Sequence, residues 1–149
     1  MVVENYIIVA LLAMAPISES RGAIIFGLGM GLNSVFVLIL AILANILLIP
    51  VAFFFLRQAK VRDFFFKMFK KTADKHIEKN EQKFSLLKEL ALFGFVAVPF
   101  PFTGVASAAL ISEILGWDQK KSTIAITAGI VVASIVVWAG TLGIIRLFL

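Results

Sequence analysis

The sequence contains no cysteine and a single histidine. Without thiols there is no disulfide framework and no thiolate metal site, and the redox state of the compartment leaves no trace. The one histidine, His76, stands beside Lys75 and Lys79 in a polar stretch with no partner ligands, so neither a metal centre nor a cofactor is expected. Charge is scarce as well: 15% of residues are charged, against about 25% in soluble domains. There is no Gly-rich phosphate loop, no H-E-x-x-H and no Cys–His nucleophile arrangement. The soluble enzyme classes fall away, and no enzymatic activity is expected. No Lys or Arg precedes Arg21, and Pro16 directly follows Ala13-Met14-Ala15. Both features argue against that A-x-A tripeptide as a signal-peptide cleavage site.

What the chain has in abundance is apolar surface. Its 149 residues are 61% hydrophobic, include 15 Phe, and have a mean hydropathy of +1.04. A single domain of this length lacks the polar surface to keep so much apolar side chain in water, so the bilayer is its natural solvent. The net charge of +5 is concentrated: ten of the fourteen Lys and Arg lie in residues 57–88. A basic cluster fits nucleic acid or a membrane surface. The flanking apolar runs decide for the membrane, and no nucleic-acid partner is expected.

The apolar runs are organised in two similar halves, residues 1–56 and 90–149, joined by a basic linker, residues 57–89. The first half reads as a short run to Ile17, a break at Pro16-Ile17-Ser18-Glu19-Ser20-Arg21-Gly22, a second short run to Met30, then a long run over residues 32–56. The second half has a short run over 90–98, a break at Pro99-Phe100-Pro101-Phe102-Thr103-Gly104, a short run over 105–115, a turn at Gly116-Trp117-Asp118, and a long run over 123–149. Broken hydrophobic segments at matching places in two halves point to an internal repeat with a site between its members.

Two topologies fit this pattern. In one, each broken segment is a re-entrant hairpin that enters and leaves by the same side. The following run crosses, and the second half repeats the scheme inverted. In the other, every segment crosses and the protein is a plain four-span bundle. The re-entrant scheme gathers Lys120 and Lys121 with the linker cations on one side and leaves Arg146 alone on the other, which suits the positive-inside rule slightly better. The breaks weigh more. Pro16, Pro99 and Pro101 each remove a backbone donor and push the preceding residue out of helix. Such backbone survives at membrane depth only against protein or a water-filled cavity, so the two breaks should face each other. The fold class expected is therefore an all-α integral membrane protein: two inverted repeats, each a Pro/Gly-broken re-entrant hairpin followed by a full transmembrane helix.

In the linker, Phe64, Phe65, Phe66, Met68 and Phe69 alternate with Arg62, Lys67, Lys70 and Lys71. This pattern fits an interfacial helix with rings among the headgroups and cations toward anionic lipid. The plainer alternative is a solvated linker helix.

Glu19 and Arg21 carry the strongest chemical signal. A charge at mid-membrane costs about 2.5–3.5 kcal/mol on insertion scales. In a continuous helix, residues two apart point to different faces, whereas in a turning segment they share one. The flanking Pro16, Ser18, Ser20 and Gly22 favour such a break, which places both charges at the tip of the first hairpin, facing the second break. There Thr103 offers a hydroxyl and Gly104 open backbone. The functional reading is a proton-accepting or ligand-binding carboxylate, with Arg21 holding an anionic group through its planar fork. The plain reading is a structural ion pair. Glu113 is expected near the interface and Asp118 at the start of the last span. The stripes Gly27-x-x-x-Gly31 and Ala125-x-x-x-Gly129-x-x-x-Ala133 allow close helix packing, either internally or in a homo-oligomer.

The two break motifs, in this order and over nearly the whole chain, resemble the small multidrug export protein family of prokaryotes, which in turn looks like a compact relative of the DedA/VTT superfamily. The chain departs in having Ile25 where many members of the first family carry Pro, and no charge within its second break. The resemblance implies facing re-entrant hairpins and a transporter in the cell membrane, multi-pass, with the linker cytoplasmic. Its substrate would be lipid-like or amphipathic, bound near Glu19, Arg21, Thr103 and Gly104, with proton coupling left open. Two other functions remain in view: a structural or lipid-organising membrane protein, and a four-span small multidrug-type antiporter. Arg21 beside Glu19 would repel a cationic drug.

Overall fold

The computed structural model of the chain describes residues 2–15, 18–56, 58, 81–100 and 103–148. Pro16, Pro101 and the linker residues Arg62, Lys67, Lys70 and Lys71 lie outside the described residues. Those described form six helices and no strand: α1 (Val2–Met14), α2 (Glu19–Gly29), α3 (Ser34–Leu56), α4 (Glu81–Ala97), α5 (Val105–Ile114) and α6 (Gln119–Phe148). Helix α3 has 23 residues and α6 has 30. At 1.5 Å per residue they reach about 35 and 45 Å, enough to cross a hydrocarbon core of about 30 Å. Only 28% and 22% of their most apolar stretches are buried within the protein. Leu43, Leu47, Phe54, Ile124, Ile144 and Leu147 point outward. A core helix of a soluble protein buries such residues; these faces suit lipid.

One boundary differs from the sequence expectation. Helix α4 begins at Glu81, well inside what the composition marks as linker. Its opening residues Glu81, Gln82 and Lys83 are good helix formers. An apolar run therefore marks where the helix is covered, not where it starts.

The two halves close their second helix in the same way. Met30 ends α2 with φ −82° and ψ 3°, and Leu115 ends α5 with φ −83° and ψ 2°. Each is followed by a left-handed glycine, Gly31 at φ 70° and Gly116 at φ 63°. The next amide reaches back over the glycine: Leu32 N–H to the Gly27 carbonyl at 3.1 Å, Trp117 N–H to the Ser112 carbonyl at 2.9 Å. This is a Schellman closure, in which a left-handed residue recovers orphan carbonyls. One residue further on, a side chain caps the long helix. Asn33 Oδ1 accepts from Phe36 N–H at 3.0 Å, and Asp118 Oδ1 from Lys121 N–H at 2.9 Å. Gly31, Leu32 and Asn33 thus correspond to Gly116, Trp117 and Asp118 at one constant spacing along the chain.

Packing between the halves is reciprocal. Helix α2 lies against α6, α5 lies against α3, and the two long helices touch. The long helices run antiparallel: Trp138 Nε1 donates to the Ser34 carbonyl at one end, while Ile49 and Phe53 share a cluster with Ile126 and Ile130 at the other. The apolar interior is divided. One cluster joins α1, α2, the first half of α3 and the last third of α6. The other joins α4, α5, the second half of α3 and the first half of α6. Both small-residue stripes serve internal contacts in part. Gly27 is buried against Val37 and Val9, and Ala125, Gly129 and Ala133 are buried, Gly129 against Val96. Gly31 instead makes the turn.

Candidate functional site

Between the two apolar clusters lies a polar layer. Asn45, the central residue of the 23-residue α3, is 2% exposed and Ser134 of α6 is fully buried. Both meet Ser20 of α2: Asn45 Nδ2 donates to Ser20 Oγ at 3.1 Å and the Ser134 hydroxyl to the same oxygen at 2.9 Å. Asn45 Oδ1 is buried and has no partner in the protein. Three hydroxyl and amide groups meeting midway along both long helices join the halves where apolar packing is interrupted.

The neighbours of Ser20 are the two charges. Glu19 starts α2 at φ 49°, a left-handed conformation that costs a side-chain-bearing residue about 1–2 kcal/mol. Its amide bonds the Ala15 carbonyl at 2.9 Å. Gly22 sits one turn on, with the Ser18 side chain lying where a methyl group would be. The Glu19 carboxylate crosses to the second half, where Oε1 accepts from the Val105 N–H at 2.9 Å. Val105 is the first residue of α5, and its amide is one of the donors a helix start leaves without a partner. A carboxylate also complements the positive end of the helix dipole there. Gly104 is buried directly beneath it, and a Cβ on Gly104 would coincide with the carboxylate.

Arg21 does the opposite task at the opposite helix end. Its Nη2 donates to the carbonyls of Val96 at 2.8 Å, Val98 at 3.2 Å and Thr103 at 3.2 Å. Its Nη1 donates to the Phe100 carbonyl and to Thr103 Oγ1. Helix α4 ends at Ala97, so these are the carbonyls left open by its last turn and by the break itself. The Thr103 hydroxyl lies 2.8 Å from both the Val98 and Phe100 carbonyls, folding the break around the guanidinium. One turn of α2 therefore supplies an anion to the start of α5 and a cation to the end of α4. The five donors of a planar fork match several carbonyls at once, as an ammonium could not.

Glu19, Arg21, Thr103 and Gly104 are thus brought together, with Gly22 behind them and Pro99 exposed at the rim of the break. Glu19 and Arg21 each bond the opposite half, and neither is recorded bonding the other. Asn45, Ser20, Ser134 and Val105 were not foreseen. Asn45 carried a usable signal as the lone polar side chain of residues 35–56. Ser134 is one hydroxyl among several in α6, and Val105 contributes only its amide, so neither stood out. Among the described residues no group of His, Asp and Glu is placed to hold a metal ion. Chemically, the layer offers one carboxylate able to exchange a proton, and a guanidinium whose donors are turned to backbone.

Residues 19–136 match the family described as "Putative small multi-drug export protein". No match is found among curated proteins or solved structures. The matched stretch opens on Glu19 itself and takes in both charges, the whole second break and five of the six helices in whole or large part. Together with the two long apolar helices it places the protein in a membrane. By a match over well more than half of its length, with the charged layer inside it, this chain belongs to the small multi-drug export protein family.

Proposed function

We propose that the protein is a membrane transporter and not an enzyme, moving a lipid-like or amphipathic substrate between two facing re-entrant hairpins. In this reading α1–α2 and α4–α5 are the hairpins and α3 and α6 the full spans. The halves are inverted repeats, as in the DedA/VTT proteins. The chain is multi-pass in the cell membrane, and the linker, residues 57–89, is cytoplasmic, with Arg62, Lys67, Lys70 and Lys71 meeting anionic lipid. The name of the family supports export. The antiparallel long helices and the twice-used glycine closure support inversion.

One observation carries the functional reading: the tie between the halves at mid-span runs through a carboxylate, Glu19 on Val105 N–H. A bond to an ionised acceptor is roughly twice as strong as a neutral one. Protonating Glu19 weakens the tie and lets the breaks part; releasing the proton closes them. A cycle of this kind couples substrate passage to proton movement.

The test uses the full chain in proteoliposomes under an imposed proton gradient, with a fluorescent phospholipid and an amphipathic dye as probes. Wild type is expected to move at least one probe. Glu19→Gln keeps the side chain's shape and a neutral acceptor, so it should insert normally and fall to the rate of empty vesicles. An undiminished rate in that variant rejects the role of Glu19. Movement of neither probe by wild type favours the structural reading, which the full engagement of Arg21 with backbone already fits.

The architecture has its own test. The chain has no cysteine, so single reporters at Asn80, Gln119 and Leu149 are clean. A membrane-impermeant thiol reagent should reach Asn80 and Gln119 from one side and Leu149 from the other. Labelling of Gln119 together with Leu149, opposite Asn80, means a plain four-span bundle instead.

A further inference from the structure

A second site lies away from the polar layer, at the end of the molecule where α6 begins. A cavity of about 140 Å³ opens there between α4 and the α5–α6 turn, with Leu92 at its base and Lys88, Glu89, Trp117, Asp118 and Lys121 around it. By volume it has room for about four to five waters. Its depth is set by the span. Gln119 starts α6, so the cavity opens at headgroup level, and the half-buried Trp117 sits where aromatic rings mark the membrane interface.

The lining has a definite chemistry. It carries two ammonium groups and two carboxylates. Lys121 approaches Glu89 at 3.5 Å, with side chains 57% and 32% exposed. Such a wet pair contributes little by itself and is easily rearranged around a ligand. Asp118 spends Oδ1 on the Lys121 amide and keeps its other oxygen. Lys88 is half-buried and has no hydrogen-bond or ion-pair partner among the described residues. A purely anionic ligand would face Glu89 and Asp118, and a purely cationic one would face both lysines. A ligand with a phosphate and an ammonium a few bonds apart satisfies all four.

The other half of the molecule has a different lining at the corresponding place. By the spacing that pairs Gly31 with Gly116, Tyr6 corresponds to Ala91. Tyr6 takes the Asn33 N–H on its hydroxyl at 3.2 Å and stands edge-on to Phe36, with ring centroids 4.9 Å apart. The hollow beside it is lined by no charged residue. In the second half the cavity is instead ringed with charge.

We propose that this cleft binds the zwitterionic headgroup of an aminophospholipid, of the phosphatidylethanolamine type, with its phosphate on Lys88 and Lys121 and its ammonium on Asp118 and Glu89. The site goes beyond the transport reading and does not depend on it.

The experiment is native mass spectrometry of the full-length protein released from nanodiscs holding equal parts phosphatidylethanolamine and phosphatidylglycerol. Wild type should retain one phosphatidylethanolamine per chain in preference to phosphatidylglycerol. Lys88→Ala removes a group with no partner among the described residues, so it should fold normally and retain the lipid at least about tenfold less, as the loss of one charge-assisted bond implies. Glu89→Lys should turn the preference toward phosphatidylglycerol. Equal retention of the two lipids by wild type, unchanged retention in Lys88→Ala, or no change of preference in Glu89→Lys each overturns the proposal. A parallel arm with soluble phosphoethanolamine separates the sources. Capture of the free compound, with no lipid retained, also overturns it.

Discussion

Arg21→Ala is expected to lower the thermal unfolding midpoint of the purified protein by on the order of 10 °C, the larger of the two stability losses predicted for this site. Five acceptors lose a charged donor at once: the carbonyls of Val96, Val98, Phe100 and Thr103 and the Thr103 hydroxyl, although the Val98 and Phe100 carbonyls keep the amides of Phe100 and Thr103. Bonds from a charged donor contribute about 1.5–3 kcal/mol each, and an acceptor left buried costs about 1–3 kcal/mol. The five share one guanidinium, so their contributions overlap, and partly exposed carbonyls such as that of Phe100 will recover a water. About 3–5 kcal/mol in total is a reasonable sum, since the change also leaves the Glu19 charge in the polar layer without its cation. Arg21→Lys should restore less than half. A lysine keeps the charge but is a compact point donor that cannot span the end of α4 and the break together. The fluorescence of Trp117, just before α6, and of Trp138, within it, follows unfolding in detergent. An unchanged midpoint in Arg21→Ala would mean that Arg21 is a bystander to the fold.

That prediction follows from a division of labour between the helix ends. An α-helix buried in an apolar medium cannot leave its terminal amides and carbonyls bare. The chain breaks twice and so creates such ends midway along the two long helices. It resolves the second break with one anion and one cation from the first, where each would otherwise be an expense. Neither charge needs the other as a direct partner, because each has a helix end of opposite polarity. The Ser20–Asn45–Ser134 contact then joins this layer to both long helices.

Much of this was legible in the sequence. The scarcity of charge, the long runs that became α3 and α6, and the two Pro/Gly breaks follow from what a bilayer requires of a chain. The convergence of Glu19 and Arg21 on Thr103 and Gly104 follows from the cost of leaving them alone. What could not be read is backbone. Val105 serves through its amide, and Val96, Val98 and Phe100 through their carbonyls, and every residue has those groups. The left-handed turn at Glu19 was hidden because nothing in a glutamate advertises φ 49°. The spacing of Glu19 and Arg21 argues for an extended or turning segment outside a continuous helix, and both sit on the first turn of one. They reach the same break by addressing its two ends and not by sharing a face. The start of α4 was misplaced for a related reason: hydropathy reports burial, while helix continues through any good helix former.

The second large effect is expected from the smallest substitution. Gly104→Ala should reduce stability by about 2–4 kcal/mol, the cost of overpacking together with that of a displaced charge-assisted bond. The backbone of Gly104, at φ −104° and ψ −164°, is ordinary extended chain that alanine adopts freely, so the conformational argument for glycine does not apply. The argument is space. Its added methyl group would occupy the place of the Glu19 carboxylate, and either the acid withdraws from Val105 or α5 moves away from α2. Both outcomes open the tie between the halves, so the variant should also lose transport to the level of Glu19→Gln. Two comparisons separate this cause from a general intolerance of the site. Gly140→Ala, inside α6 where the new methyl group meets nothing within 4 Å, should not lower stability and should raise it by up to about 1 kcal/mol through helix propensity. Adding Glu19→Asp to Gly104→Ala draws the carboxylate back by one methylene and should recover part of the lost stability, although Glu19→Asp alone is destabilising. Recovery of that kind is a coupling between two residues in contact. If the double variant is no more stable than Gly104→Ala, the carboxylate is not what the glycine makes room for.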